Sequence, residues 1–260
     1  MRVAVVQTCP IFGEVKKNVA LALSLMESAA ADLYVLPELF NTGYNFNEEA
    51  ELKTLAETAE SSTFRMMHAW SKNHACYIVY GFAERADKIY NSAALIGPEG
   101  VRGLYRKVHL FDRENLFFAP GNLGFPVFEL PFGTIGLMIC FDWIYPESAR
   151  SLALKGAQLV AHPSNLVLPH CPDSMVTRCL ENRIYTATAD RVGEENRGGR
   201  NLKFIGSSEI VAPNGEILCK LGASDPAISV VELDLALAKN KQINNYNHVI
   251  DGRRPDQYHA

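Results

Sequence analysis

Phe132–Glu147 reads FGTIGLMICFDWIYPE, an apolar run that ends on a single cysteine and then turns towards a helix through a proline. Ile135 to Ile139 has the length and apolarity of a buried strand, and Pro146 with Glu147 sits where a helix begins. Cys140 therefore falls at or just past the strand's C-terminal end, which in an open α/β sheet is where ligands bind. A free cysteine in an apolar strand is ordinarily a small buried hydrophobe. Its chemistry depends on what the rest of the chain brings to it.

Upstream, Arg2–Gln7 (RVAVVQ) reads as a strand, Val19–Ala31 as a helix and Leu33–Leu36 as a second strand running into Pro37-Glu38. This is a β-α-β unit with Glu38 at the C-terminal end of its second strand. Glu48–Glu60 and Ser62–His74 read as helices, the second capped by Ser62 or Thr63, and Cys76–Phe82 returns to strand. Tyr90–Ile96 and Val101–Leu110 flank the turn signal Pro98-Glu99-Gly100 and form an antiparallel hairpin, with Lys107 near its end. Phe111–Gly121 reads as a loop with one helical turn, followed by strands at Val127–Leu130 and Phe132–Ile139.

Downstream, Pro146–Gly156 is a helix closed by glycine, Leu159–Ala161 a strand leading into HPSNLVLP, Pro172–Arg183 a helix and Tyr185–Val192 a strand. Gly193–Leu202 (GEENRGGRNL) is glycine-rich and charged and reads as a loop, free to move at a pocket mouth. A hairpin around Pro213-Asn214-Gly215 joins Ser208–Ala212 to Glu216–Cys219, and Ile228–Leu233 is a last strand. Without a long linker or a shift in composition, residues 1–260 read as one domain. Such interleaving of β-α-β units with hairpins implies an α/β fold of mixed sheets, helices packed outside and several strand ends at a common rim.

The chain has 260 residues, 48% hydrophobic and 21% charged, with a formal net charge of -4. That balance disfavours nucleic acid and anionic membrane surfaces as partners. The N-terminus MRVAVVQTCP does not resemble a signal peptide, and no stretch reaches the length of a membrane span, so a cytoplasmic protein is expected. Six scattered cysteines lack the close pairing of a disulfide scaffold and are expected to be reduced. His162, His170, Cys171 and Cys179 match no familiar zinc-ligand spacing.

Glu38, Lys107 and Cys140 each sit where an apolar strand gives out, and together they supply complementary chemistry. A thiol attacks as thiolate, and from a free pKa of about 8.5 it needs a base to take its proton or a cation to stabilise its charge. A carboxylate meets the first need and an ammonium the second. The ammonium also serves the charge that develops on the oxygen or nitrogen of an attacked amide or nitrile. Taken singly, a glutamate after a strand and a lysine on a hairpin are usually solvated surface groups.

PELFNTGYNF around Glu38, YRKVHLF around Lys107 and CFDWIYPESAR around Cys140 closely resemble the three signature segments of the nitrilase superfamily, the carbon-nitrogen hydrolases, in that family's order. HPSN (His162–Asn165), LENR (Leu180–Arg183), GSSEIVAPNGEIL (Gly206–Leu218) and RRPDQY (Arg253–Tyr258) are also similar to family segments, so the resemblance covers nearly the whole chain. It implies a four-layer α-β-β-α sandwich that associates as a homodimer or a higher even-numbered oligomer, with a tail from about residue 240 in subunit contacts. Within the site it implies Cys140 as nucleophile, Glu38 as general base and acid, Lys107 as stabiliser of the tetrahedral intermediate and Glu114 orienting the lysine and the substrate. The Phe141 N–H is then an oxyanion donor, and no metal or organic cofactor is needed. Tyr44, Trp143, Asn165 and Asn41 flank these residues as candidates for lining the pocket.

The implied substrate is a small amide, N-carbamoyl compound or nitrile. Nitrilases of the family tend to carry Cys-Trp-Glu where this chain has Cys140-Phe141-Asp142, which resembles the amidase and carbamoylase branches and favours the amide. Two rivals stand beside this assignment. One is a Cys–His–Asp hydrolase using His109 or His162, although the bulky Ile139 and Phe141 exclude a glycine-flanked nucleophile elbow. The other is a catalytically silent binding or scaffold member of the fold.

Overall fold

The computed structural model describes residues 1–58 and 60–258. The expected helix Glu48–Glu60 and the end of the tail thus fall partly outside the described residues. Strands β1 (Arg2–Gln7), β2 (Leu33–Val35) and β3 (Tyr77–Arg85) run parallel, and β4 (Ile89–Gly97) and β5 (Gly100–Arg106) continue antiparallel from β3. A second parallel trio comprises β7 (Gly133–Leu137), β8 (Leu159–Pro163) and β9 (Tyr185–Ala189), with β6 (Val127–Leu130) antiparallel beside β7. Two short strands, β10 (Glu194–Arg197) and β11 (Arg200–Lys203), form a separate antiparallel ribbon. Antiparallel β12 (Glu209–Val211) and β13 (Ile217–Lys220) extend the second sheet from β9, and β14 (Ala227–Glu232) returns to pair with β1.

The sheet orders are β14-β1-β2-β3-β4-β5 and β13-β12-β9-β8-β7-β6, so each six-stranded sheet places a parallel trio beside antiparallel flanks. Val3, Val5, Val35 and Val79 of the first sheet share one buried cluster with Leu137, Leu159, Ala161 and Ala187 of the second. Helices α1 (Val15–Glu27) and α3 (Ser62–His74) cover the outer face of the first sheet through Val19, Ala22, Met26 and Met67. On the other side α5 (Pro146–Leu154) and α6 (Cys171–Asn182) pack Leu152, Ala153 and Met175 against the second. This is an α-β-β-α sandwich whose trios are buried on both faces, as parallel strands require. Two antiparallel steps return β5 to the direction of β3, so its end meets the C-terminal ends of β2, β7 and β8 on one rim.

Several boundaries differ from the sequence expectation. Helix α1 starts at Val15 because Lys16 and Lys17 occupy its exposed face while Asn18 is buried and donates to the Ile11 and Asn41 carbonyls. Helix α2 (Glu49–Leu55) stops early, since Ala56 turns extended and Glu57 pairs with β3 through Glu57 N to Ala83 O and Arg85 N to Glu57 O. The cap of α3 is Ser61, whose side chain accepts from Phe64 N, not Ser62 or Thr63. Gly193–Leu202 is no loop but largely the β10–β11 ribbon. All six cysteines are free, and no helix among the described residues is long and apolar enough to cross a membrane.

Candidate active site

Glu38 lies in a tight turn after β2, in which Leu36 N is held by Val79 O and Phe40 N by Gly81 O, while Gly81 N returns to Pro37 O. A side chain at position 81 would meet the Glu38 Cα at 2.4 Å, so β3 can seat this turn only with glycine there. Leu39 adopts φ 48, a left-handed conformation that costs roughly 1–3 kcal/mol in a side-chain-bearing residue and survives where surroundings enforce it. Glu38 itself is fully buried. Its Oε1 accepts from Lys107 Nζ at 2.6 Å and from Asn91 Nδ2 at 2.6 Å, whereas its Oε2 has no protein partner among the described residues. Burial, and secondarily the Glu114 charge acting against Lys107, raises its pKa from 4.5 to about 7. A carboxylate poised there can both take and return a proton near neutrality.

Lys107 is the first residue beyond β5, with its backbone N–H on Asn91 O. Its ammonium bridges Glu38 Oε1 and Glu114 Oε1, the latter at 2.8 Å. Burial opposes the charge, but the Glu114 and Glu38 carboxylates outweigh it and hold Lys107 protonated above the ordinary lysine range. An ammonium has three donors, so one N–H remains for a reacting atom. Glu114 opens the single turn α4 (Glu114–Phe117) and also accepts the Tyr44 hydroxyl at 2.5 Å.

Cys140 follows β7 by three residues and begins a 3-10 turn, Cys140–Ile144, with φ 41. The Asp142 carboxylate fastens this turn: Oδ2 accepts Ile139 N (2.9 Å) and the Tyr105 hydroxyl (2.6 Å), and Oδ1 accepts His109 Nδ1 (2.8 Å). Tyr105 and His109 flank Lys107 by two residues on either side, so Asp142 locks the cysteine turn to the lysine strand. The thiol is buried and directs its proton to Asn165 O at 3.7 Å. Burial and the Glu38 charge push its pKa well up while Lys107 pulls it down, so the resting group is a thiol. Among the described residues no acceptor takes the Phe141 N–H.

Neither histidine reaches the sulfur. His109 is committed to Asp142, and His162 donates through Nε2 to the Cys140 carbonyl at 2.9 Å. Burial lowers the His162 pKa to about 4, which keeps it a neutral prop. The zinc grouping is likewise not assembled: among the described residues no three His, Cys, Asp or Glu side chains are arranged to hold a metal ion.

Cys140 opens into a recess of about 230 Å³ walled by Phe111, Phe141, Trp143, Asn165 and Val167. It shares Phe111 and Val167 with a second recess of about 370 Å³ that Tyr44, Glu114 and Arg200 line. Trp143, Asn165 and Phe141 line the first recess and Tyr44 the second, with Asn165 Nδ2 also holding Glu38 O at 2.8 Å. Asn41 does not, because its side chain turns away to Glu57 Oε2 and Thr63 Oγ1. Sequence reasoning missed Asn91 and Gly81. A polar Asn91 inside the apolar strand Tyr90–Ile96 was the available signal for the first.

A family model described as carbon-nitrogen hydrolase matches residues 2–242. The chain belongs to the carbon-nitrogen hydrolase family. Among its relatives, a Pyrococcus abyssi protein named nitrilase is 49% identical, over 99% of each chain. The N-carbamoylputrescine amidase of Solanum tuberosum is 32% identical, over 94% of this chain and 89% of its own. Among solved structures, a cysteine-to-alanine variant of the amidase from Nesterenkonia sp. AN1 in complex with butyramide superposes with TM-score 0.76 at 26% identity, over 93% of this chain and 94% of that one. As a carbon-nitrogen hydrolase, the chain is an enzyme that acts on non-peptide carbon–nitrogen bonds.

Proposed function

We propose that this enzyme hydrolyses a small amide or N-carbamoyl compound, with Cys140 as nucleophile, Glu38 as general base and acid, Lys107 as oxyanion stabiliser and Glu114 as orienting carboxylate. The observation that carries the assignment is the division of hydrogen bonds in the buried network. Glu38 keeps one oxygen unpartnered while Lys107 keeps one N–H, beside a thiol on which both charges act.

Glu38 Oε2 takes the Cys140 proton as sulfur attacks the carbonyl carbon. The electron pair moves to oxygen, where the spare Lys107 N–H and the Phe141 N–H receive it. Collapse breaks the carbon–nitrogen bond, Glu38 returns its proton to the leaving nitrogen, and ammonia or an amine departs from a thioester. Glu38 then deprotonates a water that attacks the thioester carbon, and the acid leaves as the thiol regains its proton.

The Pyrococcus abyssi relative's name favours a nitrile instead. Amides are preferred here because Cys140-Phe141-Asp142 resembles the amidase and carbamoylase branches and departs from the Cys-Trp-Glu of nitrilases. Ammonia release across aliphatic amides, ω-amides of dicarboxylic acids, N-carbamoyl compounds and matching nitriles separates the two. An amide or N-carbamoyl compound is expected to exceed its matching nitrile in kcat/KM, and the reverse order supports the nitrile. We read the exposed tail residues Ile243 and Tyr246 as contacts of a homodimer, which light scattering checks.

A further inference from the structure

Glu195 is a buried carboxylate on the β10–β11 ribbon, 150 residues from the segment it serves. Its Oε2 accepts the Asn45 N–H at 2.6 Å, and both oxygens lie 3.1 Å from the Tyr44 N–H. Arg191, itself buried, pairs with Glu195 through Nη1 and donates from Nη2 to Pro10 O at 2.9 Å. The Arg191 guanidinium lies 4.0 Å over the Phe204 ring, and Phe204 meets the Tyr44 ring edge-on at 6.1 Å between centroids. Only glycine fits at position 43, where φ is 83 and a Cβ would stand 2.8 Å from Glu195 Oε1. Carboxylate, guanidinium and ring therefore fix both the backbone and the side chain of Tyr44.

Tyr44 is where this scaffold touches the chemistry. Burial and the Glu114 charge hold its phenol protonated, so the hydroxyl donates to Glu114 Oε1, the atom that also receives Lys107 Nζ. We infer that Glu195 is a positioning residue for the reaction, acting through Tyr44 on Glu114 and thereby on Lys107. The inference rests on the catalytic assignment above. A carboxylate suits the task because two backbone N–H groups and a guanidinium converge on it, and charge-assisted bonds are the strong ones. Its amide replacement would turn an NH₂ towards those donors.

A double-mutant cycle in the full-length enzyme tests this, with the amide turned over fastest in the panel as substrate. Glu195→Gln is expected to lower kcat about tenfold, Tyr44→Phe by a similar factor, and the double variant no further than Tyr44→Phe alone. Arg191→Lys, which keeps the charge but loses the guanidinium fork, is the second entry to the same cycle. Thermal midpoints measured in parallel report folding. Equal factors in the wild-type and Tyr44→Phe backgrounds, a loss that only tracks the folded fraction, or an unchanged kcat each overturns the inference. Full turnover by Cys140→Ala would instead remove the catalytic assignment beneath it.

Discussion

Cys140 and Cys179 start from the same endowment. Both thiols are buried, and each has a backbone carbonyl 3.7 Å away, Asn165 O for one and Val211 O for the other. Burial raises both pKa values, Cys179 to about 12. What differs is the company. Cys179 sits inside α6 against Thr186 Oγ1 at 3.2 Å, whereas Cys140 sits at a strained turn with a carboxylate of pKa about 7 and a permanently charged ammonium acting on it. Burial alone makes a cysteine inert, and a base with an unpartnered oxygen makes the same burial useful. On the proposed assignment, reactivity belongs to the rim where strand ends meet.

The largest expected effect is on that contrast itself. Cys140→Ala should lower kcat on the order of 10⁴-fold or more with the thermal midpoint retained, while Cys179→Ala should leave kcat unchanged. Next, Lys107→Gln removes the cation and should cost roughly 10²–10³-fold in kcat. It also strands two buried glutamates, for a stability loss of about 3–5 kcal/mol by chemical denaturation. If Lys107→Gln slowed turnover no more than Cys179→Ala does, the cation would not be what separates the two thiols.

The pH profile probes the base. Below about 7 Glu38 holds its proton and cannot accept another, so kcat/KM should fall about tenfold per pH unit on the acid side. Stability runs the opposite way. Native Glu38 keeps its proton up to about 7 and the unfolded group only to 4.5, so its contribution is present at low pH and lost as pH rises through that window. Glu38→Gln should therefore melt above wild type at pH 8, with the gap closing towards pH 4.5. The smallest expected effect is that of Gly81→Ala. By displacing the Glu38 turn it should lower kcat about tenfold, since an ångström of misplacement at a reacting group is costly.

The legible part of this site is its chemistry. Glu38, Lys107 and Cys140 could be named because each follows an apolar run and sits in a segment with a recognisable pattern, whereas Glu114, preceded by Asp112 and Arg113, is named by the family resemblance alone. The strands were legible for a similar reason, since strands buried on both faces are written as uninterrupted apolar residues, while their stacking as a four-layer sandwich came from the family resemblance. The β10–β11 ribbon reads as a loop in sequence because GEENRGGRNL is polar on both sides of a two-glycine turn, so no alternation betrays the pairing. Asp142 was visible as an acid beside the cysteine, but its work of tying Ile139, Tyr105 and His109 together depends on β5 and β7 ending side by side. Glu195 lay beyond reach because its donors, Tyr44 and Asn45, stand 151 and 150 residues away in the chain.

Intact-mass and peptide-mapping measurement of enzyme quenched in acid during turnover of an amide tests most directly whether Cys140 differs from Cys179 as described. An acyl adduct is expected on Cys140 in the wild type and in Cys179→Ala, and none in Cys140→Ala. An adduct on any other residue, or turnover of the amide panel with no adduct on Cys140 even under rapid quench, would contradict it.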